Sequence, residues 1–243
     1  MSCSDESRLN RREFVGSAFG ALSLLPLSRI VQLSGSKGIS LTKDERDRMT
    51  PRQIIEELKK GNERFRTGRM VSRDYLAEKR TSASGQFPAA AILSCIDSRV
   101  PVEIVLDSGI GDIFVCRVAG NISNDDILGS LEFSCSVSGA KVVVVMGHTA
   151  CGAIKGAIDG VVMGNLTGLL ARIRAAIPAT KFEGENSSKN ASYVDAVAQT
   201  NVAMTIDEIR RRSPILEALE RKGSIQIVGA MYNLTNGKAD FIG

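Results

Sequence analysis

Tryptophan is absent from this chain and aromatic residues make up only 5% of it, so there is no platform on which nucleic-acid bases could stack. The formal net charge is +4, and the four arginines and three acids of the first 30 residues take one unit of that. So small a surplus on the rest predicts no nucleic-acid or other polyanionic partner. Histidine occurs once, at His148, which leaves no second imidazole to shuttle protons. The five cysteines are an odd number without a repeated spacing, which argues against a disulfide framework and for metal binding or plain burial. A Gly-x-Gly-x-x-Gly turn after the first candidate strand is missing, so a dinucleotide-binding reading has no support.

A chain of 243 residues suits one α/β domain with extras. Residues 1–35 read as an address and 36–243 as the working domain. The segment LNRREFVGSAFGALSLL carries Arg11 and Arg12 before a short apolar run that Pro26 breaks, and it resembles a twin-arginine export signal. The run falls short of the roughly 20 residues a membrane helix needs, so no stable span is expected after export. The resemblance implies a periplasmic or otherwise exported protein, although LPLSRIVQLSG offers no clear cleavage site.

In the body, Thr50, Pro51 and Gln53 make a helix start, with a capping hydroxyl, a first-turn proline and an amide three residues after the cap. Three apolar runs follow at 89–94, 112–119 and 141–147, and their lack of alternation predicts parallel strands buried on both faces. DDILGSLEFSCSV, between the second and third, reads as a helix stopped by Gly139. Further helices are expected over 151–161, 166–177, 193–211 and 215–222, then a strand SIQIVGAMY, an Asn236-Gly237 turn and a last strand. The predicted fold is α/β: a mainly parallel four- to five-stranded sheet flanked by helices, with an N-terminal helical arm.

The first and third runs end in SCIDSRVP and HTACG. Ligands bind beyond the carboxyl ends of strands in open α/β sheets, so Cys95, His148 and Cys151 can converge there. Two thiolates and one imidazole suit a tetrahedral zinc ion whose fourth position stays open to water. Asp97 and Arg99 alternate with Cys95, and a bidentate grip by Arg99 would keep the Asp97 carboxylate off the metal. An ordinary loop salt bridge is the plainer account of that pair taken alone.

At these residues the chain resembles the β-class carbonic anhydrases: Cys95-x-Asp97-Ser98-Arg99 with His148-x-x-Cys151-Gly152, joined by GNERF, GDIFVCRVAGN and GSLEFS, from about Thr50 to the C-terminus. The resemblance implies one zinc ion per chain and reversible hydration of CO2 to bicarbonate and a proton by a zinc-held hydroxide. It also implies catalytic roles for Asp97, Arg99 and Gln86, a substrate pocket with Phe114 and Gly152, and a homodimer or larger assembly. Val118 departs from the family's Asn at that position, which puts a local hydrogen bond in doubt. Cys116 and Cys135 read as small buried hydrophobes. Carbonyl sulfide or carbon disulfide would suit the same hydroxide, and a non-catalytic zinc- or bicarbonate-sensing module is an alternative of another class. A cysteine hydrolase built on Cys151 and His148 is a weaker one.

Overall fold

The computed structural model describes residues 40–242; the export segment of the sequence reading lies outside them. In chain order the helices are α1 (Lys43–Arg48), α2 (Pro51–Arg66), α3 (Tyr75–Ser82), α4 (Val102–Val105), α5 (Asp125–Glu132), α6 (Gly152–Ile158), α7 (Gly164–Arg174), α8 (Ala176–Ala179), α9 (Ala191–Arg212) and α10 (Pro214–Arg221). The strands are β1 (Ala90–Ser94), β2 (Ile113–Arg117), β3 (Val142–His148), β4 (Gln226–Tyr232) and β5 (Ala239–Ile242). They form one sheet in the order β2-β1-β3-β4-β5, parallel except for β5, which returns antiparallel beside β4.

Side-chain alternation assigns the strand residues to two faces. Ile92, Val142, Val144 and Met146 meet Ile54, Ile55 and Leu58 of α2 with Val102 and Val105 of α4. Ala91, Leu93, Val143 and Val145 meet Leu128 and Leu131 of α5, Val202, Ile206 and Ile209 of α9 and Leu216 of α10. Both faces of β1 and β3 are therefore covered, as their unbroken apolar sequences require. Strand β2 differs: it is the sheet's edge and only half-buried, because among the described residues no strand pairs with its outer side.

The N-terminal helices fold back onto this sheet. Thr50 and Gln53 form a reciprocal capping box, and Pro51 occupies the first turn, where its missing N–H costs nothing. Of the GNERF motif in α2, Gly61 and Asn62 are buried while Glu63 is exposed. A Cβ at Gly61 would lie 2.0 Å from the Leu106 carbonyl oxygen, so only glycine lets α2 approach the end of α4. Asn62 donates to the carbonyls of Val105 and Gly237 at 3.1 and 2.9 Å and accepts from Ala239 N–H at 2.8 Å, tying α2 to β5. Arg64 pairs with the fully buried Asp107 carboxylate, which Arg73 also approaches.

After α5 the chain continues as one wide π turn, Phe133–Val137, rather than the uninterrupted helix predicted. It still ends at Gly139, whose φ of +81° suits a residue without a Cβ. Helices α6 to α9 gather over the carboxyl ends of β1 and β3, where Ile154, Leu170, Ile173, Val194 and Val197 bury Cys95 and Cys151.

Candidate metal centre

Cys95 follows the last residue of β1, His148 is the last of β3, and Cys151 caps α6. Parallel pairing of β1 with β3 places these ends side by side. The ligand atoms of the three side chains all lie within 4.8 Å of one another, and the two sulfurs are 4.0 Å apart. Two thiolates at about 2.3 Å from a tetrahedral zinc ion would sit about 3.8 Å from each other, so the sulfurs need scarcely move. His148 Nδ1 lies 2.9 Å from the Thr149 carbonyl oxygen, which can only accept; Nδ1 therefore carries the proton and Nε2 presents its lone pair. Among the described residues that Nε2 is buried without a hydrogen-bond partner, as expected of an atom reserved for a cation.

The two thiols are unequal. The hydrogen bond between the two sulfurs and the Gly120 N–H at 3.3 Å draw the Cys95 pKa down against the opposing effect of burial. Donation to Cys95, together with burial, raises the pKa of Cys151, so a cation must displace the proton held there. Cys116 and Cys135 lie elsewhere, and burial raises both, Cys135 to about 12.

Arg99 grips Asp97 with both prongs of its guanidinium, Nε to Oδ1 at 2.9 Å and Nη2 to Oδ2 at 2.7 Å, and its own N–H adds a third bond at 3.0 Å. These contacts hold the Asp97 carboxyl well below the usual carboxylate range. Asp97 Oδ2 nevertheless lies only 3.8 Å from His148 Nε2. Gly152 opens α6 beside Cys151, and a Cβ there would meet nothing within 4 Å.

Two predicted residues are not brought to the cluster within one chain. Phe114 lies on the β2 edge, its ring 6.2 Å from that of Phe133 in an edge-to-face contact, lining a cleft of about 650 Å³. Its register partner is Ala91, four residues short of Cys95, or roughly 13 Å at strand spacing. Gln86 is exposed in the segment before β1, at the sheet's opposite end.

Residue-level reading missed Arg117, at the end of β2, which donates to the carbonyls of Cys95 and Asp97 at 3.0 and 2.6 Å and shapes the ligand loop. Its signal was the GDIFVCRVAGN stretch, matched there as a block. Val118 in that stretch packs against apolar side chains, and the nearby Asn121 Nδ2 and Ser123 Oγ are buried without partners among the described residues.

A family model for carbonic anhydrase matches residues 90–239, which spans both ligand-bearing strand ends. The chain belongs to the carbonic anhydrase family. Among its relatives, carbonic anhydrase 2 of Mycobacterium tuberculosis is 36% identical over 188 residues, covering 75% of this chain and 88% of that protein. The carbonic anhydrase of Mycolicibacterium smegmatis is 32% identical over 185 residues, covering 75% and 89%. A solved structure of the tetrameric β-carbonic anhydrases of Sordaria macrospora superimposes with a TM-score of 0.58 at 27% identity, covering 68% of this chain and 85% of that one. The β-carbonic anhydrase CafA of Aspergillus fumigatus gives 0.58 at 26%, covering 67% and 79%. The chain is thus an enzyme of the β class, with the fold that class shares.

Proposed function

We propose that the chain catalyses the reversible hydration of CO2 to bicarbonate and a proton, with one zinc ion held by Cys95, His148 and Cys151. The observation that carries this reading is the donor set: two sulfurs 4.0 Å apart beside a buried imidazole nitrogen that has no hydrogen-bond partner among the described residues. When bound, zinc supplies a Lewis acid that lowers the pKa of a water and so provides a nucleophile near neutral pH. Asp97 stays ionised in the grip of Arg99, and the pair keeps its carboxylate from becoming a fourth ligand while leaving it able to accept a proton-bearing partner. With His148 committed to the metal, product protons leave through buffer or water rather than a second imidazole.

Gln86 and Phe114 fit a substrate role in an assembly in which a second copy covers the β2 edge. The half-buried strand and the exposed Phe133 beside it support such a contact, and the Sordaria relatives are described as tetrameric. Light scattering on the purified protein tests this, and a monomer at working concentration refutes it. Export by the twin-arginine route rests on Arg11, Arg12 and the apolar run after them; replacing both arginines by lysine should leave the protein in the cytoplasmic fraction.

Zinc quantification with stopped-flow CO2 hydration tests the activity. One zinc per chain with rapid hydration supports it. Faster sulfide release from carbonyl sulfide or carbon disulfide would transfer the same site to another substrate, and bound zinc without turnover would make it a sensing module.

A further inference from the structure

Both sulfur ligands rest on backbone that is held by one helix some distance away in sequence. Ala150, immediately before Cys151, has a φ of +54°, a left-handed conformation that an alanine adopts only at a cost of about 1–2 kcal/mol. Its N–H is caught by Asp195 Oδ1 of α9 at 2.8 Å. On the other side of the cluster, Gly120 has a φ of +69° and directs its N–H to Cys95 Sγ at 3.3 Å. The carbonyl of Gly120 accepts from Asn201 Nδ2, also of α9, at 2.8 Å. Asn201 is 3% exposed on the stripe of α9 that also carries Val194, Val197, Ala198, Val202 and Thr205. An amide among apolar residues costs stability unless its bonds are made, and this one spends its donor on the peptide that flanks a ligand contact.

Asp195 and Asn201 are six residues apart, about 9 Å along the helix axis, so one rigid element fixes both loops relative to each other. We infer that Asp195 and Asn201 are positioning residues that preset the spacing of Cys95 and Cys151, so that the helix α9 determines how tightly and in what geometry the cation is held. The inference rests on the metal-centre reading given above. Through this pair of contacts a helix carrying none of the ligands controls their placement.

The test uses the full chain and two readouts, zinc affinity by competition with a chromophoric chelator and the absorption spectrum after cobalt(II) substitution. Asp195→Ala and Asn201→Leu should each weaken zinc binding by roughly 10- to 100-fold, the usual effect of losing a partner just outside the ligands. Each should also shift the cobalt d–d bands and the sulfur-to-cobalt charge-transfer band. Asp195→Asn keeps an acceptor oxygen for Ala150 N–H and should restore affinity to within about threefold, since hydrogen bonding and not charge is the function. Ile209→Val removes a buried methylene from the same helix away from both loops; it should lower the melting temperature and leave affinity and spectrum unchanged.

Unaltered affinity and spectrum in Asp195→Ala would overturn the proposal, and that half-buried position guards against a failure of Asn201→Leu to fold. Equal weakening by Ile209→Val would overturn it too, by making the effect one of general packing. If the unmodified chain takes up neither zinc nor cobalt, the metal-centre reading itself fails, which is a separate outcome from variants that bind as well as the parent.

Discussion

Replacing Arg99 by alanine should close the metal site without emptying it. Arg99 supplies three of the contacts that hold Asp97, two from its guanidinium at 2.9 and 2.7 Å and one from its backbone, and alanine keeps only the last. The freed carboxylate has little distance to cover. Neighbouring nitrogen and oxygen ligands on tetrahedral zinc sit about 3.4 Å apart, by bond lengths of about 2.0–2.2 Å. Asp97 Oδ2 is already 3.8 Å from His148 Nε2, so an approach of about 0.4 Å in that separation, on bond lengths typical of zinc, brings it to ligand range. The side chains of Cys95, His148 and Cys151 make no bond to Arg99, so metal content should stay at one per chain. Hydration of CO2 measured by stopped flow at neutral pH should fall by roughly 10- to 100-fold, and X-ray absorption should gain an oxygen ligand from carboxylate. Arg99→Lys offers a point charge in place of a planar fork and should lie between the two. Full activity in Arg99→Ala, with zinc retained, refutes the gatekeeping role of the pair; loss of zinc along with activity refutes the claim that it is separate from the ligands.

Three further outcomes concern the metal's donor set, one ion pair and one helix contact. Two thiolates offset the dication's charge, so the hydration rate should climb on the alkaline side of neutrality, and a flat profile across neutral pH would contradict the donor set. Burial opposes ionisation of Glu220, yet bonds from Arg210 and from the Ile227 N–H hold its pKa below the ordinary carboxylate value. The stability it contributes is therefore present above the unfolded-state value of about 4.3 and is lost as pH falls through the lower folded value. Since the pair is partly exposed, Glu220→Gln should cost no more than ~1 kcal/mol at pH 7 in urea unfolding, and less in strong acid. Gly61→Ala places a methyl 2.0 Å from the Leu106 carbonyl oxygen, a backbone atom that cannot turn aside, and should cost roughly 1–3 kcal/mol by the same measurement.

What the sequence made legible was whatever is written in contiguous residues. The unbroken apolar runs specify β1 and β3, because strands covered on both sides need no polar face, and the reactive residues sit where those runs stop. The ligands were legible because a strand end is a fixed place in a parallel sheet, so 95 and 148 had to be neighbours once β1 and β3 were. The supports were not legible, for a physical reason. Asn201 on a helix stripe reads as a polar residue among mostly apolar ones, and Asp195 as an ordinary surface acid, until the fold brings them to Gly120 and Ala150. The same holds for Arg117, whose donors reach across to backbone carbonyls that carry no side-chain signature. Even the edge position of β2 escaped, since IFVCR is as apolar as an inner strand and only the strand order tells which side lacks a neighbour. An apolar strand left at an edge with Phe114 and Phe133 beside it is a cost to a solitary chain, and that cost disappears when a second copy covers it. In the assembly proposed above, the residue pattern that makes β2 look like an inner strand would suit a strand covered by a second copy.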